Sequence, residues 1–121
     1  MAAAGLRLLR EARTLVAEAW CSGAEARDSA GSMVSPWDDR AASWSLLGAI
    51  VAVLEREASH DRELSIPELA TALNALAKLV DSDSLIEWND RPRRTQGNVV
   101  AVLDRAAAEY EETDTFFTSL N

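Results

Sequence analysis

"LIEWNDRPRRTQGNVVAVLDRA", residues 85–106, carries an apolar pattern of helical spacing that stops at Trp88, yields to the polar run "NDRPRRTQ" and resumes at Val99. This spacing predicts two helices joined by a corner. Asn89 and Asp90 can each close a turn on a backbone N–H two residues on, Pro92 fixes a kink, and Thr95 can cap the helix that follows. The same run concentrates charge and amide groups, so it is both a corner and a candidate site. What the flanking stripes pack against decides the fold.

Downstream, Val99, Val102, Leu103 and Ala106 form one face of a helix over 95–111, and the polar residues 112–121 read as a loose tail. Upstream, "SIPE" from Ser65 to Glu68 is a capping box. It starts a helix over 65–81 whose buried face is Leu69, Leu73, Leu76, Ala77 and Val80. "DSDS" from Asp81 ends that helix and caps a short one over 84–88. Pro36, followed by Asp38 and Asp39, suits the first turn of a helix over 37–58 with the stripe Leu47, Ile50, Val51 and Leu54. Gly48 lies one turn from Trp44, which predicts close helix packing there. The first helix covers 1–21, with Leu8, Ala12, Leu15, Val16, Ala19 and Trp20 as its stripe. Between these, Gly23, Gly31 and Pro36 break the pattern over 22–36, a connection longer than a plain linker needs. No alternation of strand type is present. The expectation is an all-α single domain over 1–121, a compact bundle of about four main helices with a long irregular loop after the first helix and no sheet. Trp20, Leu47, Leu73 and Val102 are expected to share its core.

With 121 residues, 48% of them hydrophobic and 26% charged, the chain suits one soluble globular domain. The net charge is −8, and residues 41–90 hold nine acids against three bases. Such a field repels nucleic-acid phosphates and anionic membranes and favours basic partners. Glu55, Glu57, Asp61 and Glu63 are the candidate acidic partner surface. Cys21 is the only cysteine and His60 the only histidine, so one chain forms no internal disulfide and no Cys/His zinc site. The single thiol and the lack of a membrane-length apolar run favour a cytoplasmic setting. Glu11 and Glu18 interrupt the N-terminal stretch, which reads as a structural helix and not as a signal peptide. Eleven of the twelve basic residues are arginine, a bias typical of GC-rich bacterial or phage genomes.

The segments "WCSGAEARDSAG" (20–31), "PWDDRAASWSLLGAI" (36–50) and "IEWNDRPRRTQGNVVAVLDRA" (86–106) resemble the signature of a family of short bacterial and phage proteins of uncharacterised function. The resemblance implies a shared fold and a shared polar arrangement, and it implies no activity. Where that family carries a small residue and glycine after W-N-D, this chain has Arg91, Pro92 and Arg93.

Two readings of the polar residues stand side by side. In one, the run is a helix–helix corner with Arg94 anchoring a carboxylate such as Asp28. In the other, Arg27, Asp28, Trp88, Asn89, Asp90, Arg94 and Thr95 converge on a small polar pocket walled by tryptophans. In both, Asp90 and Arg94 are expected to be partly buried and joined to Arg27 or Asp28 in one network. Trp20 and Trp44 lie on helix stripes and read as core. Trp37 and Trp88 lie at loop–helix junctions, where each can pack over the corner or present an edge to a partner. Catalysis has little support, since Cys21 lacks a base near it in sequence, His60 sits in a loop-like stretch and no paired carboxylate motif is present. No catalytic, cofactor-binding or metal-binding residue is assigned. The function expected is that of a small acidic helical interaction protein, encoded by a phage or other mobile element, which binds and modulates a larger basic partner such as a nucleic-acid-handling machine. The alternative is a small-molecule-binding or weakly enzymatic domain built on Arg27, Asp28 and the W-N-D and R-T residues.

Overall fold

The computed structural model describes residues 4–60, 65–82 and 84–120, with side chains as far as Glu112. Helices α2 to α5 each open on an identifiable cap, and the end of α1 is capped as well. Helix α1 (Ala4–Glu18) buries Leu8, Leu9, Ala12, Leu15 and Val16. Its last carbonyls are capped from far along the chain, because Gln96 Nε2 donates to Val16 O at 2.8 Å and to Ala17 O at 3.2 Å. Helix α2 (Leu46–Ala58) starts at Ser45, whose hydroxyl accepts from Gly48 N at 3.0 Å. Ser65 caps α3 (Ile66–Leu79) by accepting from Glu68 N, and Ser84 caps α4 (Leu85–Asp90) by accepting from Glu87 N. Helix α5 (Gln96–Leu120) opens on a reciprocal pair: Asn98 N donates to Thr95 Oγ1 and Thr95 N to Asn98 Oδ1, both at 3.1 Å. These bonds satisfy backbone donors that a helix start leaves orphaned.

Helix α1 packs most extensively on α5, and α2 and α3 complete the core. Leu8, Leu9, Leu46, Ile50, Leu76 and Leu103 are its largest fully buried side chains. The chain is mostly helical, yet not all-α. A three-stranded antiparallel sheet occupies the stretch read as loop, in the order β2 (Met33–Val34), β1 (Ala26–Arg27), β3 (Ser43–Trp44). Ala26 pairs with Val34 on one side and Trp44 on the other. Strands of two residues cannot display an alternating pattern, so their existence is set by long-range backbone pairing alone. The backbone of this segment lies against the start of α2 and needs hydrogen-bond partners there, which the sheet supplies.

Several boundaries shift for related reasons. The first helix ends at Glu18, and Ala19 and Trp20 continue as extended chain that bridges Trp44: Cys21 N donates to Trp44 O, and Trp44 N to Ala19 O. The second helix begins at Leu46 and not near Pro36, because residues 36–41 fold into consecutive turns anchored on Asp38. Its buried face is Leu46, Ala49, Ile50 and Val53, so Leu47, Val51 and Leu54 are only half-buried. In α3 the residues turned inward are Ala72, Ala75 and Leu76, with Val80 just beyond its end. Leu69 and Leu73 are half-buried there, and Ala77 is exposed. Small side chains let helix backbones approach, which moves the bulky neighbours to the rim. Leu47 and Leu73 therefore do not join Val102 in the core, and Trp20 packs against it half-buried. Residues 112–120, read as a tail, continue α5, and no glycine or proline interrupts 98–120. Glu57, assigned to an acidic surface, is 2% exposed and its carboxylate meets Arg7 Nη2 at 3.3 Å. Asp61 and Glu63 lie outside the described residues.

Candidate functional site

Asn89 is 0% exposed and makes four hydrogen bonds. Its Oδ1 accepts from Trp20 Nε1 at 2.8 Å and from Leu46 N at 3.0 Å. Its Nδ2 donates to Cys21 O at 3.2 Å and to Asp90 Oδ1 at 2.9 Å. One amide thus ties α4 to the chain leaving α1 and to the first turn of α2, with its donor and acceptor ends each matched to two partners. Asp90 Oδ1 also accepts from Gly23 N at 2.9 Å. Gly23 sits at φ +77°, a conformation that glycine adopts without penalty. Close above this junction, Glu25 O accepts from Ser45 N at 3.0 Å. A Cβ on Gly48 would lie 1.8 Å from that carbonyl oxygen, which is why glycine stands there.

The rest of the corner is similarly engaged. Arg94 Nε donates to Trp88 O at 2.8 Å, and its guanidinium lies 3.8 Å from the centroid of the buried Trp88 ring. Arg94 N donates to Arg91 O across a turn with Pro92 second and Arg93 third; Arg93 has φ +72°. Arg91 forms an ion pair with Asp81. Arg27 donates to Gly31 O at 2.8 Å and to Ser22 O at 3.1 Å. Asp28 Oδ1 accepts from Ala30 N and Ser32 N, closing the β1–β2 connection.

The expected charged network is therefore rearranged. W-N-D does meet the W-C-S-G segment, through Asn89 and Asp90. Among the described residues, however, Asp90 and Arg94 form no ion pair with Arg27 or Asp28, and Asp90 is exposed while Arg94 is half-buried. Arg27 and Asp90 grip neighbouring residues of one loop, Ser22 and Gly23, instead of each other. The physical reason is that each polar group finds an orphaned backbone donor or acceptor closer than an opposite charge.

Cys21 is buried, and its Sγ lies 3.7 Å from Ala24 O. Burial pushes the thiol above its ordinary pKa, opposed by a hydrogen bond with Ser43 and the charge of Arg27. His60 follows the far end of α2, roughly 20 Å away at 1.5 Å per residue, so thiol and imidazole do not meet. Among the described residues no three His, Cys, Asp or Glu side chains group so as to hold a metal ion, and no helix is long and apolar enough to cross a membrane.

An open groove of about 360 Å³ lies between the turns at 36–41 and α2. Trp37 and Trp44 form its aromatic walls, Ala41 and Ala52 line it, and Asp38, Asp39, Glu55 and Arg56 supply its charge. Trp44 is fixed by its indole N–H, which donates to Pro36 O at 3.1 Å. Trp37 is 56% exposed. Asp38 is held by Arg40 at 2.9 Å, which lowers its carboxyl to about 2. Among the described residues, the carboxylates of Asp39 and Glu55 have no partner. In the sequence Trp37 stands out only as a tryptophan at a loop–helix junction, whereas its placement across the groove from Trp44 depends on β3.

These features define a mostly helical protein whose small sheet and polar corner satisfy one another's backbone groups and leave an acidic, tryptophan-walled groove open. The chain belongs to the family of unknown function DUF6197, whose model matches residues 3–109. Comparisons with curated proteins and with solved structures gave no match.

Proposed function

We propose that this protein is an acidic interaction module that binds and modulates a larger, basic protein partner in the cytoplasm. The observation that carries the reading is Trp37, 56% exposed at the edge of a groove that also holds Asp39 and Glu55. A large exposed indole beside a concave surface is the side chain most enriched at binding hot spots, and the net charge of −8 favours encounter with a basic surface. The competing reading, a small-molecule or catalytic pocket on Arg27, Asp28, Asn89, Asp90 and Arg94, has less support. Each of those side chains already holds backbone or a neighbouring side chain. The test is affinity capture from a lysate of the source organism at low and high salt, with the parent protein and Trp37→Ala in parallel, beside a thermal-shift screen of small ligands. A partner captured by the parent, weakened by salt and lost with Trp37→Ala is the expected result. Capture indifferent to Trp37, or a ligand that stabilises the protein through the Asn89 corner, overturns it.

A further inference from the structure

We infer that the groove between Trp37 and Trp44 receives an arginine side chain from a basic segment of the partner. The inference rests on the interaction reading above and names the chemistry the groove selects. Three observations lead to it. First, the walls are two indoles, one fixed by its bond to Pro36 O and the other open to solvent, and a planar cation stacks on such a face. Second, the charge is complementary: Asp38 is taken up by Arg40, but Asp39 and Glu55 are exposed carboxylates with no partner among the described residues, against the single base Arg56 in the lining. Third, the volume of about 360 Å³ is at the low end for ligand pockets, enough for one or two side chains and small for a drug-sized molecule.

The same chain shows how a guanidinium settles on an indole. Arg94 lies 3.8 Å from the Trp88 centroid while its Nε bonds a carbonyl, so stacking and hydrogen bonding act together. An incoming arginine at Trp37 would find the ring face and two carboxylates in place of that carbonyl. Lysine, a compact and strongly hydrated charge, stacks less well and forms no paired bonds to a carboxylate.

The experiment is a titration of the full chain with three six-residue probes of alternating glycine with arginine, lysine or citrulline, the last keeping the planar shape without the charge. Nuclear magnetic resonance of the four indole N–H groups is the readout, since Trp20 and Trp44 have internal acceptors. The arginine probe is expected to shift the Trp37 resonance, with the lysine probe about threefold weaker and the citrulline probe silent. Trp37→Ala is expected to lower the affinity about tenfold, and Asp39→Asn combined with Glu55→Gln about tenfold at low salt. Circular dichroism of each variant checks that it is folded. Citrulline binding as tightly as arginine, or arginine binding that ignores Trp37→Ala in a folded variant, overturns the inference. If no probe binds while lysate capture still depends on Trp37, the arginine assignment falls and the interaction reading stands. If the arginine probe binds at Trp37 while capture is indifferent to it, the arginine site stands and the interaction reading falls.

Discussion

Trp20 donates its indole N–H to Asn89 Oδ1 at 2.8 Å across 69 residues of sequence, and the same oxygen accepts the Leu46 N–H that begins α2. Removing the amide strands an indole donor, a backbone donor and the Cys21 carbonyl in a buried place. Asn89→Ala should therefore destabilise the protein by about 3 kcal/mol or more, since each stranded group costs about 1–3 kcal/mol. Chemical denaturation measures it directly. Asn89→Asp keeps the acceptor but sets a second carboxyl against Asp90. Burial and like charge raise its folded-state pKa above the unfolded value, so the deficit should be smallest when the group is protonated, below about pH 4, and grow as pH rises.

Gly48 and Gly97 should respond in opposite directions. A Cβ at Gly48 would meet Glu25 O at 1.8 Å, a backbone atom that cannot move aside, so Gly48→Ala should cost about 3 kcal/mol. At Gly97 the nearest atom is Thr95 Oγ1 at 3.8 Å, and the residue is helical, so Gly97→Ala should stabilise by about 0.5 kcal/mol. Paired thermal melts check both signs.

Two arginines of the corner divide into a strained residue and a supporting one. Arg93 holds φ +72° at the third position of its turn, where glycine is favoured. Arg93→Gly should raise stability by about 0.5–1 kcal/mol, and Arg93→Val should lower it. Arg94→Ala should lose about 1.5–2 kcal/mol from its carbonyl bond and its stack on Trp88. Arg94→Lys should recover less than half of that, because lysine has neither the planar face nor the Nε donor.

Asp38 supplies a pH marker in the groove. Its hydrogen bonds with Arg40 hold the carboxyl down to about 2. A depressed folded-state value means that the interaction is present above the ordinary carboxylate range and is lost as pH falls through about 2. Carbon-detected titration of the Asp38 carboxyl should show that low midpoint, and Arg40→Ala should raise it toward the ordinary range but not all the way, because the Arg40 backbone N–H still donates to Asp38 Oδ1. A midpoint unchanged in Arg40→Ala would refute the assignment of cause.

Local chemistry was legible in the sequence where it was self-contained. The Ser65 and Thr95 caps and the stripe Val99, Val102, Leu103, Ala106 lie within a few residues of their partners, and the structure places them as read. The start of α2 was not, because Pro36 with two following aspartates imitates a helix entrance as well as Ser45 does. The sheet was invisible because two-residue strands have no period. In the corner, residue types gave the polar cluster and not its wiring: Asn89 meets Trp20, and Gln96 meets Val16, only after the helices have packed. Trp37 was one of two tryptophans left open between packing and presentation, and only the fold separates it from Trp88, which is 6% exposed.

The bond from Gln96 to the end of α1 bears on how the chain is made. Synthesis proceeds from the N-terminus, so α1 leaves the ribosome early, yet its principal packing surface and the amide that closes its last turn belong to α5. Until α5 has emerged, the buried face of α1 lacks the helix on which it packs most extensively. Folding of this chain is consequently a late event, completed after most of it has been translated. A ribosome stalled before residue 96 should hold a nascent chain that is readily cut by protease and bound by chaperones.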